Sequence, residues 1–167
     1  MTQLALATRR ATFSPCRTWR YELSNSWDSE APILGYVGCN PSKASESAWD
    51  LTARKFDGFA QRLGFGRWYA ANLFALVSTD PTGLRTFDGD PVGPDNDDWI
   101  RTIAQRCGKV ILCWGGTGGV YEERAQHVLG MLDHIPLWCF GKTRGGHPRH
   151  PSRIAYSTPV VRYTENP

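Results

Sequence analysis

The 167-residue sequence predicts an α/β protein, a three-layer α/β/α sandwich with a mainly parallel central sheet. Apolar runs of strand length alternate with segments whose apolar residues recur at helical spacing. The connections between these segments are short, which favours helices packed on both faces of one sheet. No internal repeat is evident, and the length suits one domain. We therefore expect a single domain over residues 1–167, in which residues 1–12 form a poorly fixed terminus.

The predicted strands come from runs rich in apolar, aromatic and β-branched residues. Residues 18–23 alternate, with Tyr21 and Leu23 on one face and Arg20 and Glu22 on the other. This pattern indicates a half-buried strand at a sheet edge. The other strands are expected at residues 33–38, 68–74, 109–114, 137–140 and 160–163.

Three helices are expected between these strands. The first runs from about residue 51 to 63, with Asp50 as its N-cap and Gly64 just beyond its end. The second begins at Pro94 and Asp95 and ends near residue 106, and its acidic first turn suits the helix dipole. The third runs from residue 120 to about 132. Long loops are expected at residues 77–94 and 141–153, and long loops in compact domains are often functional.

Charge and cysteine content limit the functional classes. The net charge of +3 and the pI of about 8.7 permit nucleic-acid binding without requiring it. The five cysteines include no Cys-x-x-Cys pair, so their spacing matches neither a zinc nor an iron–sulfur site. We find no signal peptide and no apolar run of about 18 residues. We expect a cytoplasmic monomer that uses no cofactor and does not enter a membrane.

Two glycine-rich segments resemble parts of nucleotide-binding loops. Residues 115–119 follow a predicted strand and precede a helix, which is the right context for contacting a phosphate. No lysine follows Gly119, however, as a P-loop requires. Gly141-Lys142-Thr143 lacks the first glycine of that pattern, because Pro136 occupies its position. The dinucleotide fingerprint is also absent, so an ordinary nucleoside triphosphatase is not favoured.

Polar residues with chemical potential follow the ends of different predicted strands. Asn40, Asn72 and His150 occupy such positions, and open α/β sheets bind ligands at the carboxyl ends of their strands. His147 and His150 are three residues apart, but the flanking prolines prevent a helix and no third metal ligand is evident. We therefore favour no metal, and an immobile His150 that stabilises negative charge or exchanges protons.

These segments resemble the motifs of the uracil-DNA glycosylase superfamily. Gly38-Cys39-Asn40-Pro41 is similar to its first motif, in the branch with Gly-x-Asn-Pro rather than Gly-Gln-Asp-Pro. The strand ending at Asn72 is similar to the one whose terminal asparagine reads a pyrimidine edge, and His150-Pro151-Ser152 resembles the last motif. The chain also resembles a small family of bacteria and phages in residues 20–23, 40–42, 50–52, 72–75, 92–94, 114–115 and 146–151.

The resemblance implies a glycosylase that takes a nucleotide out of the stack and hydrolyses its N-glycosidic bond. Asn40 would orient the attacking water, and Asn72 would pair with the edge of a pyrimidine. His150 would stabilise charge on the departing base. Asp50 is either a further catalytic carboxylate or only a helix cap. The candidates for stacking on the base are Tyr36, Phe74 and Trp114.

Double-stranded DNA that contains a modified base is the expected partner. The asparagine in place of the uracil enzyme's aspartate and the long 77–94 loop favour a base other than uracil. The phage-associated family suggests hydroxymethyl- or glucosyl-hydroxymethylcytosine in phage DNA, and a role in defence against phages. Two alternatives remain: a module that binds modified bases without cleaving them, and an enzyme of free modified nucleotides.

We expect an abasic product, because nothing besides Lys43 supports an imine-forming lyase. Arg153 either fills the emptied stack or is an ordinary surface arginine. The candidate DNA contacts are Ser42, Lys43, Thr52, Gly116, Lys142, Arg144, His147, Arg149, Ser152 and Arg153.

Overall fold

The computed structural model describes residues 7–42, 48–80, 82–116 and 121–164. Within these ranges the strands are β1 (Thr8–Phe13), β2 (Arg20–Ser26), β3 (Ile33–Gly38), β4 (Arg67–Asn72), β5 (Lys109–Leu112), β6 (Leu137–Cys139) and β7 (Val161–Arg162). The helices are α1 (Leu51–Arg62), α2 (Gly83–Thr86), α3 (Asn96–Arg106) and α4 (Glu122–Met131), and a 3₁₀ helix spans Pro151–Arg153.

The strands form one mixed sheet in the order β1-β2-β4-β3-β5-β6-β7. Its central strands β4, β3, β5 and β6 are parallel to one another. The outer strands pair antiparallel, β1 with β2, β2 with β4, and β7 with β6. The predicted α/β class with a mainly parallel central sheet is confirmed.

Helices cover both faces of this sheet. Successive strand residues point to opposite faces, so Tyr36 joins one apolar layer and Val37 the other. On the first face, the α1 face, Phe59 of α1 packs into the layer that contains Tyr36. On the second, the α3–α4 face, Ile103 and Val128 pack into the layer that contains Val37. The arrangement is a three-layer sandwich.

The connections of the central strands create a crevice at their carboxyl ends. The chain leaves β3, forms α1, and adds β4 on one side of β3. It then returns through α3 to place β5 on the other side of β3. Where connections depart in opposite directions, an open α/β sheet leaves a cleft for ligands. This cleft lies at the end of β3, where Asn40 follows.

The N-terminal segment differs from our expectation. Residues 8–13 form β1 and pair along β2, so the prediction of a poorly fixed terminus over residues 1–12 is wrong for the part that the structure describes. The Ser14 N–H donates to the Trp19 carbonyl at 2.9 Å and helps to close this hairpin. β2 is consequently an interior strand rather than the predicted edge, because β1 satisfies its outer hydrogen-bonding groups.

A β-bulge also changes the facing of residues in β2. Thr12 pairs with Glu22 but Phe13 pairs with Arg20, so Tyr21 is an extra residue in the ladder. Arg20 and Leu23 therefore lie on the α1 face, in one pocket. Tyr21 instead lies on the α3–α4 face, where its ring is parallel to that of Trp99 in α3, with centroids 6.2 Å apart. The prediction that Arg20 and Leu23 point to different faces of the sheet is wrong. The extra residue of the bulge shifts the alternation of side chains by one position.

The 77–94 loop, the cysteines and the helix lengths are the remaining features of the fold. The predicted loop at residues 77–94 contains the short helix α2. All five cysteines are free thiols, and Cys113 and Cys139 are buried. In the part of the chain that the structure describes, no helix has both the length and the apolar character needed to cross a membrane.

Candidate active site at the carboxyl ends of β3 and β4

A pocket of about 330 Å³, the β3–β4 pocket, opens on the α1 face at the carboxyl ends of these strands. Asn40 follows β3 and Asn72 ends β4, while His150 enters from the loop that precedes the 3₁₀ helix. Asp50, just before α1, completes the set. The structure thus brings together the residues that we assigned to catalysis and the asparagine that we assigned to base recognition. Ser42 and Thr52, two candidate DNA contacts, also line this pocket.

Asn72 is mostly buried, and its carboxamide has unused hydrogen-bonding capacity toward the pocket. The residue is 8% exposed, and no described residue hydrogen-bonds its side chain. Its backbone is fixed, because Asn96 Nδ2 donates to the carbonyl oxygens of Asn72 at 3.0 Å and Leu73 at 3.1 Å. Neither amide atom is among the fully buried polar atoms that lack a partner, so the carboxamide is open to the pocket and can hydrogen-bond a ligand there.

Gly38 provides the space that the Asn72 side chain occupies. A Cβ atom at position 38 would lie 2.6 Å from Asn72 Oδ1. Real Cβ contacts are not that short, so any other residue there would displace the amide. Gly38, the glycine of the Gly-Cys-Asn-Pro segment, therefore allows the Asn72 side chain at the end of β4 to keep its position.

Asn40 is held in a single orientation by its amide nitrogen. Nδ2 donates to the Ser78 carbonyl at 2.8 Å and to the Pro41 carbonyl at 3.2 Å. Oδ1 receives no hydrogen bond from a described residue and remains an acceptor. A carboxamide cannot remove a proton at neutral pH, but a fixed acceptor can orient a water molecule. Ser78 belongs to the 77–94 loop, so this loop contributes to the site.

Asp50 caps α1 and lines the pocket at the same time. Its Oδ1 accepts from the Ala53 N–H at 2.8 Å, which confirms the predicted cap. Its Oδ2 is hydrogen-bonded by the Ser42 hydroxyl. Both oxygens are thus engaged, and the carboxylate places negative charge at the pocket wall.

His150 lines the pocket as a neutral ring with one nitrogen available as a hydrogen-bond donor. Its Nδ1 accepts from the Ser152 backbone N–H at 3.3 Å and lies 2.8 Å from the Ser152 hydroxyl oxygen. Burial lowers the pKa of His150, Arg153 lowers it further, and Asp50 opposes both. The ring is therefore neutral near pH 7, and because Nδ1 is an acceptor we assign its proton to Nε2.

The turn after β5 supports the histidine loop. Gly115 has a φ of +78°, which favours glycine, and its N–H donates to the Pro148 carbonyl at 2.8 Å. A Cβ atom at position 115 would lie 3.3 Å from the Cβ of His150. This part of the glycine-rich segment thus positions His150. Residues 117–119, for which we considered a phosphate contact, lie outside the described residues.

Arg20 is the main pocket residue that the sequence did not reveal. It is 5% exposed and lines the pocket with Asn72, Asp50 and His150. Burial lowers the pKa of Arg20 to about 10, with the Asp50 carboxylate favouring the charged form, so the guanidinium remains a cation. The one sequence feature that pointed to Arg20 was its place in residues 20–23, a segment of the family resemblance. The other unpredicted lining residues are Leu23, Gly38, Cys39, Ala53, Phe56, Ala70, Ser78 and Thr79.

None of the three aromatic residues proposed to stack on a base lines the pocket. Tyr36 is 0% exposed, and its hydroxyl donates to the Phe56 carbonyl at 3.0 Å. Phe74 and Trp114 belong to the apolar layer of the α3–α4 face, and Trp114 also lines a second cavity that shares His150 with this pocket. The pocket aromatic is instead Phe56 of α1, which stacks on Tyr36 with ring centroids 4.0 Å apart. We had looked for the aromatic residue only near the strand ends, whereas Phe56 comes from a helix.

The candidate DNA contacts fall into separate groups. A second cavity of about 580 Å³, the His150 groove, shares His150 with the β3–β4 pocket. Lys43 lies outside the described residues. The candidates that line the His150 groove are Gly116, Arg149, Ser152 and Arg153.

Three basic candidates, Lys142, Arg144 and His147, lie away from both cavities, and their contact with DNA stays a prediction. Lys142 donates to the Thr164 carbonyl and lies over the Tyr163 ring. His147 lines a smaller cavity, where its Nδ1 is 3.7 Å from Glu122 Oε2. Arg144 is exposed in a turn. The basic loop folds back on itself, so a cluster in sequence becomes separated in space.

The described residues contain no group of three or more His, Cys, Asp or Glu side chains arranged to hold a metal ion. Comparison with curated proteins and with solved structures found no match. A family model described as a protein of unknown function (DUF1643) matches residues 20–152. This match covers more than half of the chain and includes every residue named above as lining the β3–β4 pocket. The protein therefore belongs to the DUF1643 family.

Proposed function

We propose that this protein is a DNA glycosylase that hydrolyses the N-glycosidic bond of a modified pyrimidine and leaves an abasic site. The observation that carries the proposal is the Asn72 carboxamide, which is open to one pocket with Asn40 and a neutral His150 and has no partner among the described residues. The motif resemblance to the uracil-DNA glycosylase superfamily supports it. Hydroxymethyl- or glucosyl-hydroxymethylcytosine in phage DNA is the proposed substrate, and defence against phages the proposed role.

The pocket has the size and polarity to hold one base. Ligand pockets range from about 300 to 1,000 Å³, and this one is near the lower limit. A base must therefore leave the duplex to enter it, at a cost of a few kcal/mol. Asn72 offers a donor and an acceptor to the hydrogen-bonding edge of a pyrimidine. Phe56 supplies an apolar ring beside it.

The arrangement fits hydrolysis by positioning and charge stabilisation. The bond between C1′ and the base nitrogen breaks, and its electron pair leaves with the base. Water adds to C1′ and releases a proton, which balances the charge of the anionic base. Asn40 Oδ1 would orient this water, and the Asp50 carboxylate would stabilise positive charge on the sugar. His150 Nε2–H would donate to the departing base.

The His150 groove suits the DNA backbone beside an extruded nucleotide. Arg149 and Arg153 line it together with Gly116. Arginine side chains and backbone N–H groups are common phosphate contacts, and they position DNA without reading its sequence. No lysine is among the described residues that line the β3–β4 pocket. We propose that the reaction stops at the abasic site.

A panel of duplexes that differ only at one pyrimidine tests the proposal. The pyrimidine is cytosine, 5-methylcytosine, 5-hydroxymethylcytosine, glucosylated 5-hydroxymethylcytosine or uracil, and the products are analysed before and after alkali. We expect strand breaks with a modified pyrimidine, and only after alkali. Asn40→Ala should abolish them, whereas Gln105→Ala, which removes an exposed carboxamide on α3, should not.

The other outcomes identify the alternatives. Binding of modified duplexes without any break across the panel would support a non-catalytic module. Base release from free modified nucleotides, with intact DNA, would indicate a nucleotide-directed enzyme. Breaks that appear before alkali would show a lyase step, which the pocket is not expected to perform.

A further inference from the structure

Arg20 enters the β3–β4 pocket because of the bulge in β2. Its backbone N–H donates to the Ala75 carbonyl at 2.8 Å, just beyond the end of β4. Tyr21 is the extra residue of the bulge, so Arg20 shares a face with Leu23 instead of with Glu22. Bulges often re-aim a side chain beside an active site. The irregular backbone thus places this arginine in the pocket that Asn72 also lines.

Burying a guanidinium is unfavourable unless charge or hydrogen bonds compensate it. Arg20 is 5% exposed, and the Asp50 carboxylate acts on it. Arginine suits this position, because it keeps its charge on burial more readily than lysine and offers a planar array of donors. The result is a fixed positive charge inside a pocket whose other polar groups are mostly neutral.

Among the described residues that line the pocket, Arg20 is the one that carries a cationic side chain. Asn40 and Asn72 are neutral amides, and His150 is neutral near pH 7. A base that departs with the electron pair of its C1′–N bond becomes an anion. In a buried site, fixed charges interact with such an anion more strongly than in water.

We propose that Arg20 is a further catalytic residue, whose guanidinium stabilises the negative charge that forms on the base as the C1′–N bond breaks. This inference rests on the proposed glycosylase function. Arg20 would act together with the His150 N–H. Removing one such donor typically lowers the rate by about 10²–10³-fold.

The dependence of the excision rate on the acidity of the released base distinguishes a catalytic role of Arg20 from a structural one. Single-turnover excision is measured for the pyrimidines that the wild type removes, ordered by the acidity of the released base. Arg20→Gln should slow the poorest leaving group by about 10²-fold and the best one less. Arg20→Lys should recover part of the rate. Arg101→Gln, at an exposed pair with Asp98 on α3, is the matched control and should retain full activity. A uniform loss over all bases, with normal folding, would overturn the inference.

Binding of a free pyrimidine anion tests Arg20 without catalysis. The probe is 5-fluorouracil, whose ring loses a proton in mildly alkaline solution, with uracil as the less acidic comparison. Wild-type affinity should rise as the probe ionises, and Arg20→Gln should remove this rise. Burial raises the pKa of Cys39, another lining residue, to about 11, so its thiol stays neutral over this range. Absence of binding at every pH, or an equal rise in both proteins, would overturn the inference.

The two proposals fail in distinguishable ways. If the wild type binds the pyrimidine anion through Arg20 but excises no base, the glycosylase function is wrong and the anion site stands. If excision occurs and Arg20→Gln shows the wild-type leaving-group dependence, the function stands and the role of Arg20 is wrong. Circular dichroism and thermal unfolding of each variant identify a failure to fold.

Discussion

Two cavities on opposite faces of the sheet differ in size and in chemistry. The β3–β4 pocket has a volume of about 330 Å³ and lies at the carboxyl ends of parallel strands. A larger groove of about 560 Å³, the α3 groove, lies on the α3–α4 face between α3 and strands β1, β2 and β4. Between these two cavities, volume alone would favour the α3 groove as the functional site. The hydrogen bonding of the polar groups favours the pocket.

Acidic groups in the α3 groove are engaged by neighbouring residues. Glu22 accepts from the Ser24 hydroxyl at 2.9 Å, and Asp98 forms a 3.0 Å ion pair with Arg101. Arg67 keeps one buried donor, Nε, without an acceptor. In the β3–β4 pocket, by contrast, a whole carboxamide, that of Asn72, has no partner among the described residues. Unused hydrogen-bonding capacity at strand ends marks a site better than volume does.

The largest expected effect separates the two cavities directly. His150→Ala should lower the single-turnover excision rate by about 10²–10³-fold, because it removes a donor to the departing base. Glu22→Gln, in the α3 groove, should leave that rate unchanged. Equal losses in the two variants would show that the catalytic distinction between the cavities is wrong.

Gly38→Ala tests the support of Asn72. The added Cβ would lie 2.6 Å from Asn72 Oδ1 and displace the amide. We expect excision to fall by about 5- to 150-fold, corresponding to the 1–3 kcal/mol of a good base contact. Gly130→Ala is the matched control: it lies in α4 with open space around it, and it should raise stability by about 0.5–1 kcal/mol. Full activity of Gly38→Ala would exclude Asn72 from base recognition.

Tyr36→Phe tests the corrected role of a core aromatic residue. Loss of the hydrogen bond to the Phe56 carbonyl should lower the free energy of unfolding by about 1 kcal/mol, measured by chemical denaturation. Excision should not change, because Tyr36 is fully buried and does not line the pocket. If Tyr36→Phe lost excision activity while keeping wild-type stability, Tyr36 would have a role in the site and this prediction would be wrong.

The smallest expected effect is the pH dependence that His150 adds to stability. Its pKa is lowered in the folded protein, so the unfolded chain takes up the proton first as the pH falls. Stability should therefore decrease from the ordinary histidine pKa, about 6.5, down to the lowered value, and not above that range. Denaturation curves of His150→Gln should lack this component, whereas those of His134→Gln, at an exposed histidine, should keep it. Wild-type pH dependence in His150→Gln would contradict a buried neutral ring.

The parts of the site that the sequence revealed are those set by local patterns. The apolar run of β3 ends just before Asn40, and that of β4 ends at Asn72, so strand ends were readable without tertiary information. His150 followed from its proline-fixed loop and from the motif resemblance. The same local signals predicted the α/β fold and the three longer helices to within a few residues.

The parts that the sequence did not reveal depend on pairs of elements. The bulge at Tyr21 exists only relative to β1, a strand that we did not predict, so the pocket position of Arg20 could not be read from residues 18–23. The pocket aromatic, Phe56, faces the strand ends because α1 packs across them. Lys142 and Arg144 line neither the β3–β4 pocket nor the His150 groove, because their loop folds back.

Mass spectrometry of the released base tests the central claim most directly. The wild type and Asn72→Ala are incubated with a duplex that contains one glucosylated or hydroxymethylated cytosine, and the small-molecule fraction is analysed. We expect free modified base and an equal amount of abasic DNA with the wild type, and a strongly reduced amount of both with Asn72→Ala. Release of intact nucleotide, or no release while the duplex remains bound, would contradict it.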